Sequence, residues 1–413
     1  MSDERRSGDL LPLRRNRPFQ RLVVAKVANE LSSAAGNVAL PLVVLGTTAS
    51  ATLAGLALFV SSAALIAAQA FGGALVDRHS PSLVLRLSSF TQALGWALVI
   101  LAVTPREHLF FLILLGSALA GGASGFDAPS EQALVKLVVP RRQLGHAAAV
   151  AQGREASAGL IGGPIGGLLY SLGPTMAPAV QVSLNVFAGV FAPPVSRVQD
   201  PAAAPGGYLS EVRAGFGFVW RHPGLRGIAI VSGLANLPIV ALPLTLIAFY
   251  QARGDHPVAI GILATAFGAG IVGGAFIAGP LSSRLRLGRL GGMALAAFAL
   301  GQFAVVLAFA SLPLTAGVLF VSAIPLPAFN AAISAYTVTV TPPSLMGRVA
   351  AASGVPGMVL MPIGAFGGGA LFDAFGPYLP LILSAVAAAC TVAVLVGSRD
   401  LRQIPRLSEL GER

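Results

Sequence analysis

Val38-Ala39-Leu40-Pro41-Leu42 recurs as Val240-Ala241-Leu242-Pro243-Leu244, 202 residues later in a chain of 413. A second pair of segments keeps nearly the same register. Leu144-Gly145-His146-Ala147 leads to Gly166-Gly167-Leu168-Leu169-Tyr170-Ser171-Leu172-Gly173-Pro174. Leu345-Met346-Gly347-Arg348-Val349 leads to Gly369-Ala370-Leu371-Phe372-Asp373-Ala374-Phe375-Gly376-Pro377. Two matches in register describe a chain built from two similar halves. In a membrane-embedded chain, such halves place a site between them and rock about it. The repeat therefore bears on function as well as fold.

Composition places the chain in a bilayer. It is 55% hydrophobic and 10% charged, with mean hydropathy +0.79, whereas a soluble domain carries about a quarter charged residues. About twelve apolar stretches are long enough to cross a hydrocarbon core of ~30 Å. They centre on 22–46, 51–76, 82–103, 108–130, 144–170, 176–195, 225–250, 257–282, 288–310, 313–338, 346–372 and 378–397. The expected organisation is a tail over 1–18, a six-helix bundle over 19–195, a linker over 196–224, a second six-helix bundle over 225–397, and a tail over 398–413.

The net charge of +11 raises the question of nucleic acid, and its placement answers it. Arg14, Arg15, Arg17 and Arg21 precede the first span. Arg78, Arg86, Lys136, Arg141, Arg142, Arg284, Arg286, Arg289 and Arg348 flank the even-numbered loops. Arg197, Arg213, Arg221 and Arg226 fall in the central linker, and Arg399, Arg402, Arg406 and Arg413 in the tail. The odd-numbered loops carry only Arg106 and Arg253. Alternation with loop parity is the positive-inside pattern, which predicts cytoplasmic termini. A nucleic-acid surface would gather its charge on one face instead.

Cys390 is the only cysteine and lies in the last span, so no intrachain disulfide forms and no Cys/His metal cluster is expected. The five histidines, at 79, 108, 146, 222 and 256, sit at or near loops with no metal spacing. The first span lacks a small-residue cleavage site and reads as retained. Arginine dominates lysine, which occurs only at Lys26 and Lys136; with abundant Ala and Gly, this suggests a GC-rich bacterial genome, and with the apolar spans the expected location is a bacterial cytoplasmic (inner) membrane. In the linker, Leu209, Val212, Phe216, Val219 and Trp220 keep a helical period, with Glu211, Arg213 and Arg221 in other directions. This predicts an amphipathic helix at the membrane surface, tethering the halves.

The second loop reads Gly72-Gly73-Ala74-Leu75-Val76-Asp77-Arg78. It resembles the loop signature of the major facilitator superfamily: a glycine, three residues, an acid, then a base. The resemblance implies a cytoplasmic latch made by Gly73, Asp77 and Arg78, with Asp127 as a partner for Arg78; the alternative is that Arg78 only fixes topology. The linker segment Trp220-Arg221-His222-Pro223-Gly224-Leu225-Arg226 is similar to that of the third drug:H⁺ antiporter group, which includes macrolide- and tetracycline-type exporters. Met346-Gly347-Arg348-Val349, Pro362-Ile363-Gly364 and Pro140-Arg141-Arg142-Gln143-Leu144 match the same group. Gly162-Gly163-Pro164-Ile165-Gly166-Gly167 is similar to the antiporter signature in span five. Gly163 and Pro164 there, with Pro41, Pro243 and Pro362, mark bendable, closely packed helices.

Ionisable residues inside spans are costly and face a cavity or a partner. Glu30 falls well inside span one, and Arg154 and Glu155 about ten residues into span five. These three are the candidates for proton coupling and cavity charge, set against the alternative of a static ion pair. Glu30 is favoured as proton carrier because no arginine neighbours it in sequence. Glu131 reads as a solvated end charge, four residues from Asp127. Asn29, Gln69, Asn236, Asn330 and Tyr336 are candidates to line a substrate cavity or to bond helix to helix.

The expectation is an all-α membrane protein with the twelve-helix major facilitator fold in two pseudo-symmetric six-helix bundles. As the resemblance implies, it is a proton-coupled exporter of amphipathic small molecules in a lipid bilayer. It would use no cofactor, metal, nucleic acid or obligate protein partner. Export of a siderophore or other endogenous metabolite, or lysolipid translocation, is the alternative on the same scaffold. A non-transporting receptor or scaffold is a remote one. An enzyme is disfavoured because no catalytic cluster is visible.

Overall fold

The computed structural model describes residues 12–104, 109–195, 216–342, 345–398 and 401. Some helical side chains, those of Gly73, Asp77 and Arg348 among them, lie outside the described set. The described regular structure is helical. The apolar stretches become α1 (Arg17–Thr48), α2 (Ala51–Arg78), α3 (Pro81–Val103), α4 (Phe110–Ser124), α5 (Asp127–Val138), α6 (Leu144–Ser171) and α7 (Met176–Phe191). A helical segment at 216–221 is α8. Then follow α9 (Pro223–Ala252), α10 (Pro257–Arg284), α11 (Leu287–Ala308), α12 (Leu312–Ala323), α13 (Leu326–Val340), α14 (Met346–Phe375) and α15 (Tyr378–Gly397).

Ten spans among the described residues are long and apolar enough to cross a membrane, counting α4–α5 and α12–α13 as one each. The other two of the twelve are α6, which carries Arg154 and Glu155 in its interior, and α7, apolar but 16 residues long. The chain is a multi-pass membrane protein.

Two spans expected to be continuous are broken, and at matching places. α4 ends at Ser124, with Gly125 as its cap, and α5 starts after Phe126. α12 ends before Pro325, which caps α13. Proline supplies no N–H and cannot continue the ladder. Pro41, Pro164, Pro238, Pro243, Pro356 and Pro362 instead lie inside helices, as membrane helices tolerate.

The described residues pack as two compact units. One gathers Met1–Asn37, Val60–Gly162 and Leu172–Ala202; the other gathers Val38–Phe59, Gly163–Ser171 and Ala203–Arg413. Compactness thus does not follow chain order. The ends of α1, α2 and α6 on the side opposite the arginine-rich loops pack with the second half. Val38 and Leu42 share one apolar cluster with Leu242, Leu246, Tyr250 and Ile260, so both copies of the repeated pentapeptide serve one core. Gly163 in α6 meets Gly261 of α10 so closely that a Cβ on Gly163 would lie 2.6 Å from the Gly261 carbonyl oxygen. In the same unit, Leu225, Ile228, Val231, Leu290, Phe329 and Val349 form a second core. Val219 of α8 is buried in that core. Phe216 and Trp220 stack on each other outside it, with ring centroids 5.5 Å apart, and Arg221 is exposed. Leu209 and Val212 lie outside the described residues.

Candidate functional site

Three helices of the first unit converge on a chain of alternating charges. α1 presents Lys26 and Glu30, four residues apart and so on one face. α5 presents Glu131, and α6 presents Arg154. The Arg154 guanidinium grips Glu30 with two bonds, Nε to Oε2 at 2.6 Å and Nη2 to Oε1 at 2.7 Å. The same Nη2 donates to Glu131 Oε1 at 2.6 Å. Lys26 Nζ lies 3.4 Å from the other Glu131 oxygen. The order is Glu30, Arg154, Glu131, Lys26, with no net formal charge. Side-chain exposures are 18% for Glu30, 7% for Arg154, 15% for Glu131 and 6% for Lys26. At 1.5 Å per residue, Arg154 sits about 15 Å along α6 and Glu131 about 10 Å from the end of α5.

Isolated charges at such depth are strongly disfavoured, and pairing with full hydrogen bonding offsets that penalty. The fork geometry of arginine suits the arrangement, because a planar guanidinium satisfies two carboxylates at once. A proton placed on either carboxylate would weaken a contact that its oxygen makes with Arg154 or Lys26. The charge state and the geometry of the ion chain are therefore linked.

Further polar contacts tie the helices of the first unit together. Asn29 Nδ2 donates to Ser89 Oγ at 3.1 Å, tying α1 to α3. Ser32 meets Gln181 at 2.9 Å and accepts from Asn185 at 3.0 Å, tying α1 to α7. The α4–α5 break delivers Asp127 into the first turn of α5. There its carboxylate accepts from Ser88 at 2.6 Å and from Gln92 at 3.1 Å, both on α3.

Several expectations need correction. Glu131 is not a solvated end charge but the shared acceptor of Arg154 and Lys26. Glu30 has no arginine near it in sequence, yet Arg154, 124 positions away, binds it in both oxygens. Arg154 and Glu155 do not pair with each other. Adjacent helix residues diverge by about 100°, and Glu155 is exposed with no ion pair among the described residues. Asp127 is buried against Ser88 and Gln92, and Arg78 is exposed, so no ion pair joins them. The side chains of Gly73 and Asp77 lie outside the described residues.

Of the cavity candidates, Asn29 is buried and bonds α1 to α3 through Ser89. Gln69 is half-buried in α2. Asn236 is half-buried and bonds its own helix at the Ser232 carbonyl, 2.9 Å away. Asn330 is exposed. Tyr336 is packed in the apolar core of the second unit, its ring edge-on to His222. Lys26 was missed as a site residue. Its position, one turn before Glu30 in an apolar run, was the available signal. Among the described residues, no group of three or more His, Cys, Asp or Glu side chains could hold a metal ion.

Comparison with known proteins extends this picture. The chain is 27% identical to the enterobactin exporter EntS of Shigella boydii serotype 4 (strain Sb227), covering 94% of each chain. It is equally similar, over the same coverage, to EntS of Escherichia coli (strain K12). Among solved structures it resembles the nucleoside transporter NupG, with TM-score 0.74, 13% identity and coverage of 92% of this chain and 98% of that one. It also resembles an inward-facing bacterial homologue of the iron transporter ferroportin, with TM-score 0.73, 14% identity and coverage of 94% and 99%. These likenesses give the all-helical major facilitator fold. A sequence model described as Major Facilitator Superfamily matches residues 22–256, more than half of the chain. With ten apolar spans among its described residues and this match over more than half of its length, the chain belongs to the major facilitator superfamily of membrane transporters.

Proposed function

We propose that this chain is a proton-coupled exporter working by alternating access, and that it carries an amphipathic endogenous metabolite of the siderophore kind. The chain Glu30–Arg154–Glu131–Lys26 carries the coupling part of this reading. Protonating Glu30 turns one of its two acceptor oxygens into a hydroxyl, so the charged bidentate grip on Arg154 falls to a single neutral acceptor and Glu131 becomes the arginine's ionised partner. Ionised and protonated Glu30 thereby favour different helix arrangements, and a ligand or proton moves a carrier only through such a difference. The substrate class rests on the relatives named as enterobactin exporters, similar over 94% of both chains. The same relatives and the arginine parity of the loops support export to the outside of a bacterial inner membrane, with both termini cytoplasmic.

Drug efflux is the second reading. It is supported by the likeness of Trp220–Arg226 and Met346–Val349 to the third drug:H⁺ antiporter group. Purified protein in proteoliposomes separates the two. An iron-free catecholate siderophore and a macrolide are offered in turn, with and without an imposed proton gradient. The proposal expects gradient-dependent movement of the catecholate and at most slow movement of the macrolide. The reverse order would favour drug efflux, and gradient-independent movement of both would sink the coupling.

A further inference from the structure

The first turn of α2 is capped by a residue more than three hundred positions away. A helix start leaves N–H groups without intrahelical partners, and a nearby Ser or Asp normally takes them. Ala49, at φ 50°, turns the chain out of α1 and into α2. Ser50 Oγ accepts from Leu53 N at 3.2 Å. The remaining donors go to Asp373, near the end of α14. Its carboxylate accepts from Ala51 N at 3.0 Å, from Thr52 N at 2.8 Å and from Ser50 Oγ at 2.7 Å. Hydrogen bonds to an ionised acceptor are the strong kind, and the positive end of the helix dipole adds to them.

The approach is built in below the carboxylate. Gly369, one turn before Asp373, lies against the Ala51 carbonyl with no room for a Cβ. One turn further along α2, a Cβ on Gly55 would fall 2.6 Å from the Ala365 carbonyl oxygen. The local sequence Gly369-Ala370-Leu371-Phe372-Asp373 differs from Gly73-Ala74-Leu75-Val76-Asp77 at one position of five. One helix ends in this pattern on the arginine-rich side and the other on the opposite side. In the α14 copy, the glycine lets the helices touch and the acid, one turn on, reaches the neighbouring N-terminus.

By the arginine parity of the loops, this contact is external. α2 derives from the first repeat and α14 from the second, so opening a path to the outside separates them. We infer that Asp373 is a positioning residue of the transport cycle: a carboxylate clasp on the start of α2 that holds the external ends together and is released when the carrier opens outward.

The test uses a Leu42→Cys reporter in a Cys390→Ser background. Leu42 is fully buried in the apolar cluster at the external ends. Intact cells are labelled with a membrane-impermeant maleimide, and no substrate is needed, so failure here is separate from failure of the exporter reading. Asp373→Ala is expected to raise labelling about tenfold by shifting the population toward the open state. Asp373→Asn, which keeps one acceptor without the charge, should fall between, and Asp373→Glu should restore part of the closure. If Asp373→Ala accumulates poorly, Asp373→Asn carries the test. Monodisperse Asp373→Asn and Asp373→Ala proteins with parental labelling would overturn the inference, as would lower thermal stability with no change in labelling.

Discussion

The two halves share repeated sequence segments and differ in what they bury. In the first, α1, α5 and α6 bring two acids and two bases together. In the second, no charged residue occurs in α13, and α14 has none between Arg348 and Asp373. At the repeat spacing, Lys26 corresponds to Ile228 and Glu30 to Ser232. Ile228 is part of an apolar core. A scaffold that packs with isoleucine at one copy has no structural need for lysine at the other. Replacing a buried ion pair by apolar groups is often neutral or stabilising. The charges of the first half therefore point to function, and the second half serves as the internal control.

The largest effect should come from Arg154→Leu. It leaves Glu30 without its partner and Glu131 with Lys26 alone, at a cost of about 3–5 kcal/mol, read as loss of folded protein and a lower midpoint of thermal unfolding in detergent. Ser232→Ala, at the matching position of the second half, should change stability by less than about 0.5 kcal/mol. Pairing Arg154→Leu with Glu30→Leu should recover most of the lost stability, because neither charge is stranded, while transport stays absent. If the double variant is no more stable than Arg154→Leu, the halves differ in packing and not in charge.

Lys26→Met should have a smaller effect, about 1–3 kcal/mol. The lysine stands 3.4 Å from Glu131, and Arg154 still satisfies that carboxylate. Equal losses for Lys26→Met and Arg154→Leu would mean that the four residues act as one unit. The smallest effect is expected for Ser88→Ala, about 1 kcal/mol, because Gln92 remains on Asp127. A loss comparable to that of Arg154→Leu would place Asp127 inside the ion chain instead of beside it.

Much of the fold is legible in the sequence. The starts of α2, α6, α7, α10, α14 and α15 coincide with the edges of apolar stretches, because each run is bounded by turn residues or charges. The breaks at Phe126 and Pro325 were harder. α4, α12 and α13 are apolar, and α5 opens with a charged turn that reads as the end of a span; Gly125 and the proline pair Pro325 and Pro327 were the signal. The site was only half legible. Ionisable residues in apolar runs single out Glu30 and Arg154, and the same rule singles out Lys26. Their pairing is a contact across 124 positions, and neither periodicity nor spacing carries such information. Glu131 was misread for the same reason: end-of-span position suggests water, and only the approach of α6 makes it a buried acceptor. Asp373 likewise looks like an ordinary end charge until α2 is beside it.

The central claim is that Glu30, held by Arg154, couples transport to the proton gradient. The most direct measurement is gradient-driven transport by purified Glu30→Gln in proteoliposomes, with substrate binding measured on the same preparation. The amide keeps the size of the side chain and cannot alternate between charged and neutral forms. The account predicts that uphill transport disappears while binding stays within about threefold of wild type, since coupling and affinity are separable free energies. Uphill transport at the wild-type rate would contradict it and leave the ion chain as a packing device.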